Sequence, residues 1–250
     1  MPIKGPDVNI SRHMTGKFIV LEGITSTGKT TLGKMLVERL KAKGTDAFFN
    51  HEPTTHTPFG RISRCIVEKN QCLPKDIEEA GKLNIIKKSG VLSRILTKIR
   101  NGKKLSELER QLLYIADRYE DLRGTILPQI ARSRTCMQDR YELSTYAYAS
   151  TKNISYSRLK KLHDEILREV YIVPDIILYF DLDPSLAIKR LSNASGKPVD
   201  IYETLPKIKK TREAYIKLLK KKELYKKLFI IDVRPPIIEV FEDICLKLQM

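Results

Sequence analysis

Residues 23–31 read Gly-Ile-Thr-Ser-Thr-Gly-Lys-Thr-Thr and follow, one residue on, the apolar run Phe18-Ile-Val-Leu21. The spacing prescribes a strand, a glycine-bearing loop and a helix in succession. Two glycines let the backbone curl until successive N–H groups point at one anion, with a helix N-terminus behind them. Leu32, Met35, Leu36 and Leu40 then recur at helical spacing, and Gly44 stands where such a helix stops. A strand feeding a helix in this manner opens a βαβ unit, so the expectation is an α/β chain with a parallel sheet covered on both faces. Within the loop, Gly23, Ile24, Thr25, Ser26, Thr27, Gly28, Lys29, Thr30 and Thr31 are the candidate phosphate-binding residues. Lys29 can reach the outer phosphates, and Thr30 offers a hydroxyl to Mg²⁺, which needs few protein ligands beside water and phosphate oxygens.

At 250 residues the chain can bury one substantial core, and one domain with an insertion is the expected organisation. Hydrophobic residues make up 42% and charged residues 30%, proportions ordinary for a soluble protein. No apolar run approaches the roughly 18–20 residues of a membrane span, and no signal peptide opens the chain, so a soluble cytoplasmic protein is expected. Cys65, Cys72, Cys136 and Cys245 form neither a C-x-x-C pair nor a disulfide scaffold and read as reduced thiols. Cys136 falls in an expected strand, where it serves as a small buried hydrophobe. A net charge of +16 suits either a nucleic-acid surface or a pocket that gathers polyanionic nucleotides. Much of the excess lies in residues 87–104 and 217–227, where lysines share helical segments with core-spaced leucines and isoleucines. Those lysines read as solvated faces, and nucleic acid is not expected as the main partner.

Residues 1–16 form an expected loose leader, rich in proline and glycine. Asp46 to Asn50 reads as a second strand opening into His51-Glu-Pro53, and Arg61 to Glu68 as a helix. Residues 69–104 form a basic insertion with helical pieces near Ile77–Lys88 and Val91–Arg100. Ser106-Glu-Leu-Glu109 is a capping box, and Leu108, Leu112, Ile115, Tyr119 and Leu122 carry the core stripe of the helix it starts. Tyr114, Asp117 and Arg118 cluster on a neighbouring face, where they decorate a surface or wall a base pocket. Thr135 to Gln138 is a strand that delivers Asp139-Arg-Tyr-Glu142 at its carboxyl end, where ligands of parallel sheets bind. A helix over Ser157–Val170, a buried strand over Pro174–Phe180, helices over 205–224 and 237–248, and a strand over Leu228–Ile231 complete the pattern. Asp183, followed by Pro184, is read as a structural N-cap. Residues 192–203 have the composition of a mobile lid, with Arg190 and Lys197 as its candidate cations.

Several of these motifs, in order over about residues 17–248, resemble thymidylate kinases, the P-loop enzymes that phosphorylate dTMP. His51-Glu-Pro-Thr-Thr-His-Thr-Pro-Phe-Gly-Arg61 is similar to the family's Glu-Pro segment, and Leu112-Leu-Tyr-Ile-Ala-Asp-Arg118 to its base-pocket helix. Asp139-Arg-Tyr-Glu-Leu-Ser-Thr-Tyr-Ala-Tyr148 is similar to its Asp-Arg-Tyr/His motif, and Pro174 to Pro184 to its late strand. The resemblance implies a three-layer P-loop NTPase fold with a mostly parallel five-stranded sheet and a short lid. It implies ATP and dTMP as substrates, Mg²⁺, and a homodimer. Carried onto this sequence, it implies that Lys29, Asp139, Arg140 and Arg190 serve the transfer, with Thr30 and Asp139 at the metal. Tyr114 would stack on thymine, Arg118 donate to a pyrimidine carbonyl, Arg140 hold the acceptor's 5′-phosphate, and Tyr148 lie under the deoxyribose. Glu52, Pro53, Arg61 and Thr145 would complete the acceptor side.

The sequence departs from the pattern at Thr25, where the family usually has an acidic residue, at Ser26, where some members carry arginine, and at Ile201, where a lid arginine often stands. The rival readings are a related kinase acting on another deoxynucleotide or deoxynucleoside, and a catalytically weakened relative that binds nucleic acid through residues 69–104.

Overall fold

In the computed structural model, which describes residues 16–68, 72–193 and 204–250, strand β1 (Phe18–Glu22) is buried at every position. A strand without an exposed face belongs at the centre of a sheet flanked by helices. It lies there: the five strands run in the order β2-β3-β1-β4-β5, all parallel. The others are β2 (Ala47–His51), β3 (Thr135–Asp139), β4 (Ile176–Asp181) and β5 (Lys227–Asp232). The register aligns Leu21 and His51 with Asp139. Two further backbone bonds, Arg140 N–H to the Leu21 carbonyl at 3.0 Å and Glu52 N–H to the Asp139 carbonyl at 2.9 Å, carry the ladders past the strand ends. Three carboxyl ends thus stop side by side.

Helix α1 (Lys29–Ala42) follows the glycine loop and buries Leu32, Leu36 and Val37, as its 3.6 period requires. Next come α2 (Pro58–Val67), α3 (Pro74–Lys82), α4 (Asn84–Lys88) and α5 (Gly90–Arg100). The helix expected over Ile77–Lys88 breaks at Leu83, whose ψ of 146° is extended. Helix α6 (Glu107–Asp121) starts at the expected capping box, with Ser106 N–H donating to Glu109 Oε2 at 2.8 Å and Glu109 N–H to Ser106 Oγ at 3.3 Å. A π-helical turn (Leu122–Ile126) leads from α6 into α7 (Leu127–Ala131).

Helix α8 (Glu142–Ser150) has no counterpart in the sequence reading. Nearly all its residues are buried, polar ones included, so no polar face alternates with an apolar one. It packs on α9 (Tyr156–Leu167), α6 and α11 (Leu205–Leu218). Helix α10 (Pro184–Asn193) is entered as expected, with Ser185 N–H donating to Asp183 Oδ1 at 2.8 Å. The helix expected to reach Leu224 ends at Leu218, and a 3₁₀ turn (Lys222–Leu224) takes Leu224 inward. Helix α12 (Ile237–Leu248) closes the fold and lies beside α1. Among the described residues no helix is long and apolar enough to cross a membrane. The expected leader, save Gly16, and the expected lid over 192–203, save Ser192 and Asn193, lie outside the described residues, as does Lys197.

Candidate active site

The loop between β1 and α1 adopts the curl that its glycines allow. Gly23 has φ 145°, and a Cβ there would stand 2.6 Å from the Phe180 carbonyl oxygen. Ser26 and Gly28 also lie at positive φ, 57° and 82°. The first turn of α1 contains no acidic residue, so the positive end of its dipole faces the loop undiminished. Lys29 is folded back into the loop, its Nζ donating to the Ile24 carbonyl at 2.6 Å and to Thr27 Oγ1 at 3.0 Å. Burial, aided by the Arg140 charge, brings its ammonium down to about 7.

Thr30 Oγ1 donates to Asp139 Oδ2 at 2.5 Å, which joins the loop to the end of β3. The other carboxylate oxygen, Asp139 Oδ1, is buried without a hydrogen-bond partner among the described residues. An orphaned anionic oxygen beside a threonine hydroxyl is a donor set that a hard divalent cation satisfies. The next residue, Arg140, holds φ 71°, a conformation rare outside glycine. Its Nη1 donates to the Gly23 carbonyl and to Ser144 Oγ, both at 3.2 Å, and its guanidinium lies 5.4 Å from the centre of the Tyr148 ring.

Behind this turn sits Glu22, fully buried. Its carboxylate accepts the Tyr141 and Ser144 N–H groups at 3.0 and 3.2 Å, Ser144 Oγ at 2.6 Å and the Tyr215 hydroxyl at 3.0 Å. It thereby caps α8 from another strand and ties α11 to the same point. Burial pushes its carboxyl up, while Ser144 and Arg140 pull it back.

On the other side, consecutive residues of α6 grip the loop after β2. Asp117, fully buried, accepts the Thr54 N–H at 2.8 Å, Thr54 Oγ1 at 2.7 Å and the Thr57 hydroxyl. Burial pushes its carboxyl up to about 6, with Thr57 and Thr54 opposing. Arg118 forms a buried fork with Glu52, Nε to Oε1 at 2.8 Å and Nη2 to Oε2 at 2.5 Å, and also donates to Thr145 Oγ1 at 2.9 Å. Its Nη1 is buried with no partner among the described residues. The Glu52–Pro53 peptide is cis. Arg64 donates to the Pro53 carbonyl at 2.5 Å, and Gly60 lets α2 approach, since a Cβ there would meet the Thr54 carbonyl oxygen and Oγ1 at 2.4 Å.

The structure therefore brings together the loop residues, Lys29, Thr30, Asp139, Arg140 and Tyr148 on one side and Glu52, Pro53, Arg118 and Thr145 on the other. Tyr114 stays half-buried on α6, one turn before Arg118. Two expected residues are placed differently. Arg61 Nε pairs with Asp76 at 2.7 Å, its Nη2 with Glu79, and its Nη1 donates to the His56 carbonyl at 2.9 Å, so α3 and the chain before α2 engage its donors. Arg190 donates to the Val233 carbonyl at 2.8 Å and lies against the loop after β5. The sequence reading missed Glu22, Ser144, Tyr215 and Arg64. Glu22 alone carried a signal, a charge at the end of an otherwise apolar strand.

Residues 87–244 match the family model described as Thymidylate kinase. The chain is 30% identical over 231 residues to a protein of Pyrococcus abyssi (strain GE5 / Orsay) named "Probable thymidylate kinase", covering 92% of this chain and 95% of that one. It is 31% identical over 205 residues to a "Thymidylate kinase" of Leptospira interrogans serogroup Icterohaemorrhagiae serovar Lai (strain 56601), covering 82% of each. A "Probable thymidylate kinase" of Thermococcus onnurineus (strain NA1) is 28% identical over 228 residues, covering 91% and 94%.

Proposed function

The chain belongs to the thymidylate kinase family, and from that premise we propose how its own residues carry the transfer of the γ-phosphoryl group of ATP to dTMP, giving dTDP and ADP. Such a transfer asks for alignment and charge neutralisation and needs no protein nucleophile. In this reading the backbone of residues 23–31 and the α1 N-terminus hold the ATP phosphates, and Lys29 exchanges its bonds to Ile24 and Thr27 for phosphate oxygens. Arg140 binds the 5′-phosphate of dTMP. Its bond to the Gly23 carbonyl keeps that phosphate next to the donor loop. Tyr114 stacks on thymine, Arg118 Nη1, unpartnered among the described residues, donates to a base carbonyl, and the Tyr148 ring underlies the deoxyribose and excludes a 2′-hydroxyl. Glu52 and Thr145 fix the Arg118 plane.

Thr30 and Asp139 would hold Mg²⁺, which when bound neutralises charge on the phosphate oxygens. The orphaned Asp139 Oδ1 supports that assignment. Arg61 and Arg190 take structural roles, with Arg190 bracing the loop after β5. The resemblance also carries the expectation of a homodimer, which light scattering tests; a monomeric mass at working concentration removes it.

The observation that carries this reading is the 2.5 Å contact between Thr30 and Asp139, which locks the donor loop to the turn bearing Arg140. The test is incubation of the purified protein with ATP, Mg²⁺ and a panel of nucleoside monophosphates. dTDP is expected as the main diphosphate, and absence of any diphosphate sinks the reading.

A further inference from the structure

Ser144, in the first turn of α8, places its hydroxyl where three segments meet. Its Oγ lies 3.2 Å from Arg140 Nη1, 2.6 Å from Glu22 Oε2 and 2.7 Å from the hydroxyl of Tyr215. Tyr215 comes from the last turn of α11, and its hydroxyl also reaches Glu22 Oε2 at 3.0 Å. Glu22, Ser144 and Tyr215 are all buried, so these groups fill one another's hydrogen-bonding capacity.

A serine hydroxyl has one proton and two acceptor lone pairs, and a guanidinium can only donate. Arg140 therefore needs a serine whose proton points elsewhere. The Glu22 carboxylate, at the shortest of the three distances, takes that proton and leaves the lone pairs to Arg140 and Tyr215. The two bonds of Arg140 Nη1, to Ser144 Oγ and to the Gly23 carbonyl, are both 3.2 Å, long for a charged donor. The backbone fixes the direction of the carbonyl, whereas a hydroxyl rotates unless its own partners hold it. We propose that Tyr215, with Glu22, is a positioning residue for Arg140: from α11 its hydroxyl holds the Ser144 hydroxyl in the orientation that accepts from the guanidinium.

The functional consequence rests on the kinase reading above, in which Arg140 binds the 5′-phosphate of dTMP. A guanidinium that loses its serine acceptor keeps only the Gly23 carbonyl and no longer presents a fixed plane to that phosphate. The loss falls on ligands that carry the phosphate and spares the base and sugar contacts, because Arg118 is held separately by Glu52 and Thr145.

Tyr215→Phe removes the hydroxyl and keeps the ring beside Tyr179, their centroids 5.5 Å apart. The full-length variant is expected to bind dTMP more weakly by about two- to tenfold, the net worth of one hydrogen bond, as calorimetry measures. Affinity for ATP and for thymidine, which lacks the phosphate, is expected to hold. Equal loss for thymidine and dTMP, or no loss for either, overturns the proposal, because a merely structural hydroxyl acts on the pocket as a whole. In the R140A background the same change is expected to cost kcat/KM for dTMP nothing further, and an undiminished cost there also overturns it. A third arm needs no turnover. With isotope-labelled arginine, and R140A to assign the signal, nuclear magnetic resonance follows rotation of the Arg140 guanidinium, expected to be slower in the wild type than in Y215F. Equal rotation overturns the proposal even in a protein that makes no dTDP, whereas absent dTDP with unequal rotation sinks the kinase reading alone.

Discussion

The side chain that most separates the proposed reaction from its rivals is Arg140. It is held in a strained backbone conformation by the Leu21 carbonyl and reaches both the glycine loop and the Tyr148 ring. Such strain persists where the surroundings over-determine it. Arg140→Ala is expected to lower kcat/KM for dTMP by about 10²–10³, the loss typical of removing one fixed charge-stabilising donor, with ATP affinity little changed; steady-state kinetics check it, and an unchanged rate removes the role. Lys29 gives a pH prediction. Its ammonium sits at about 7 in the free site against an ordinary 10.5, and a bound triphosphate favours the charged form and raises it again. Between pH 7 and the bound value, ATP binding must therefore take up a proton, and affinity falls as pH rises, by at most about tenfold per unit. Calorimetry at pH 8 in buffers of different ionisation enthalpy should report uptake of close to one proton; none would contradict the assignment.

At the scale of elements, α6 and the loop after β2 form a reciprocal clamp. Asp117 holds the loop through Thr54 and Thr57, and the loop holds Arg118 through Glu52. Removing Glu52 leaves a guanidinium buried without its counter-charge, so Glu52→Ala is expected to cost about 3–5 kcal/mol of stability, measured by denaturant unfolding. Gly60→Ala pushes a methyl against the Thr54 carbonyl and hydroxyl at 2.4 Å. That overpacking is expected to cost about 1–3 kcal/mol and to raise KM for dTMP more than for ATP. A wild-type unfolding curve would show that α2 yields without disturbing the clamp. Helix α6 was legible because its cap and its apolar stripe are local signals. Helix α8 was not, because burial all round erases the amphipathic contrast on which such reading depends.

For the molecule as a whole, the +16 charge bears on capture more than on fold. A cationic surface draws in nucleotide polyanions over distances of about a Debye length, near 10 Å at 0.1 M salt. Nucleotide association is therefore expected to slow as salt rises from about 0.01 to 0.2 M, with a weaker effect on dissociation, as stopped-flow with a fluorescent ATP analogue would measure. Salt-independent association would leave the charge a matter of solubility alone. The sheet order places β1 and β3 at the centre, so that motifs more than a hundred residues apart end at one edge.

By itself the sequence determined the glycine loop, the strand-helix alternation that yields a parallel sheet, the cap of α6 and the Asp139–Arg140 pair, because each depends on residues close together along the chain. Only the tertiary structure decided the partners. The family resemblance put Arg61 on the acceptor side, yet two carboxylates of α3 pair with it. Arg190 had the place of a lid cation, yet its Nη2 donates to the Val233 carbonyl just after β5. Glu22 gains its role from α8 and α11, whose approach no local pattern encodes. A long side chain binds whichever opposite charge or bare carbonyl the folded chain presents to it, and that choice is made by packing between segments distant in sequence.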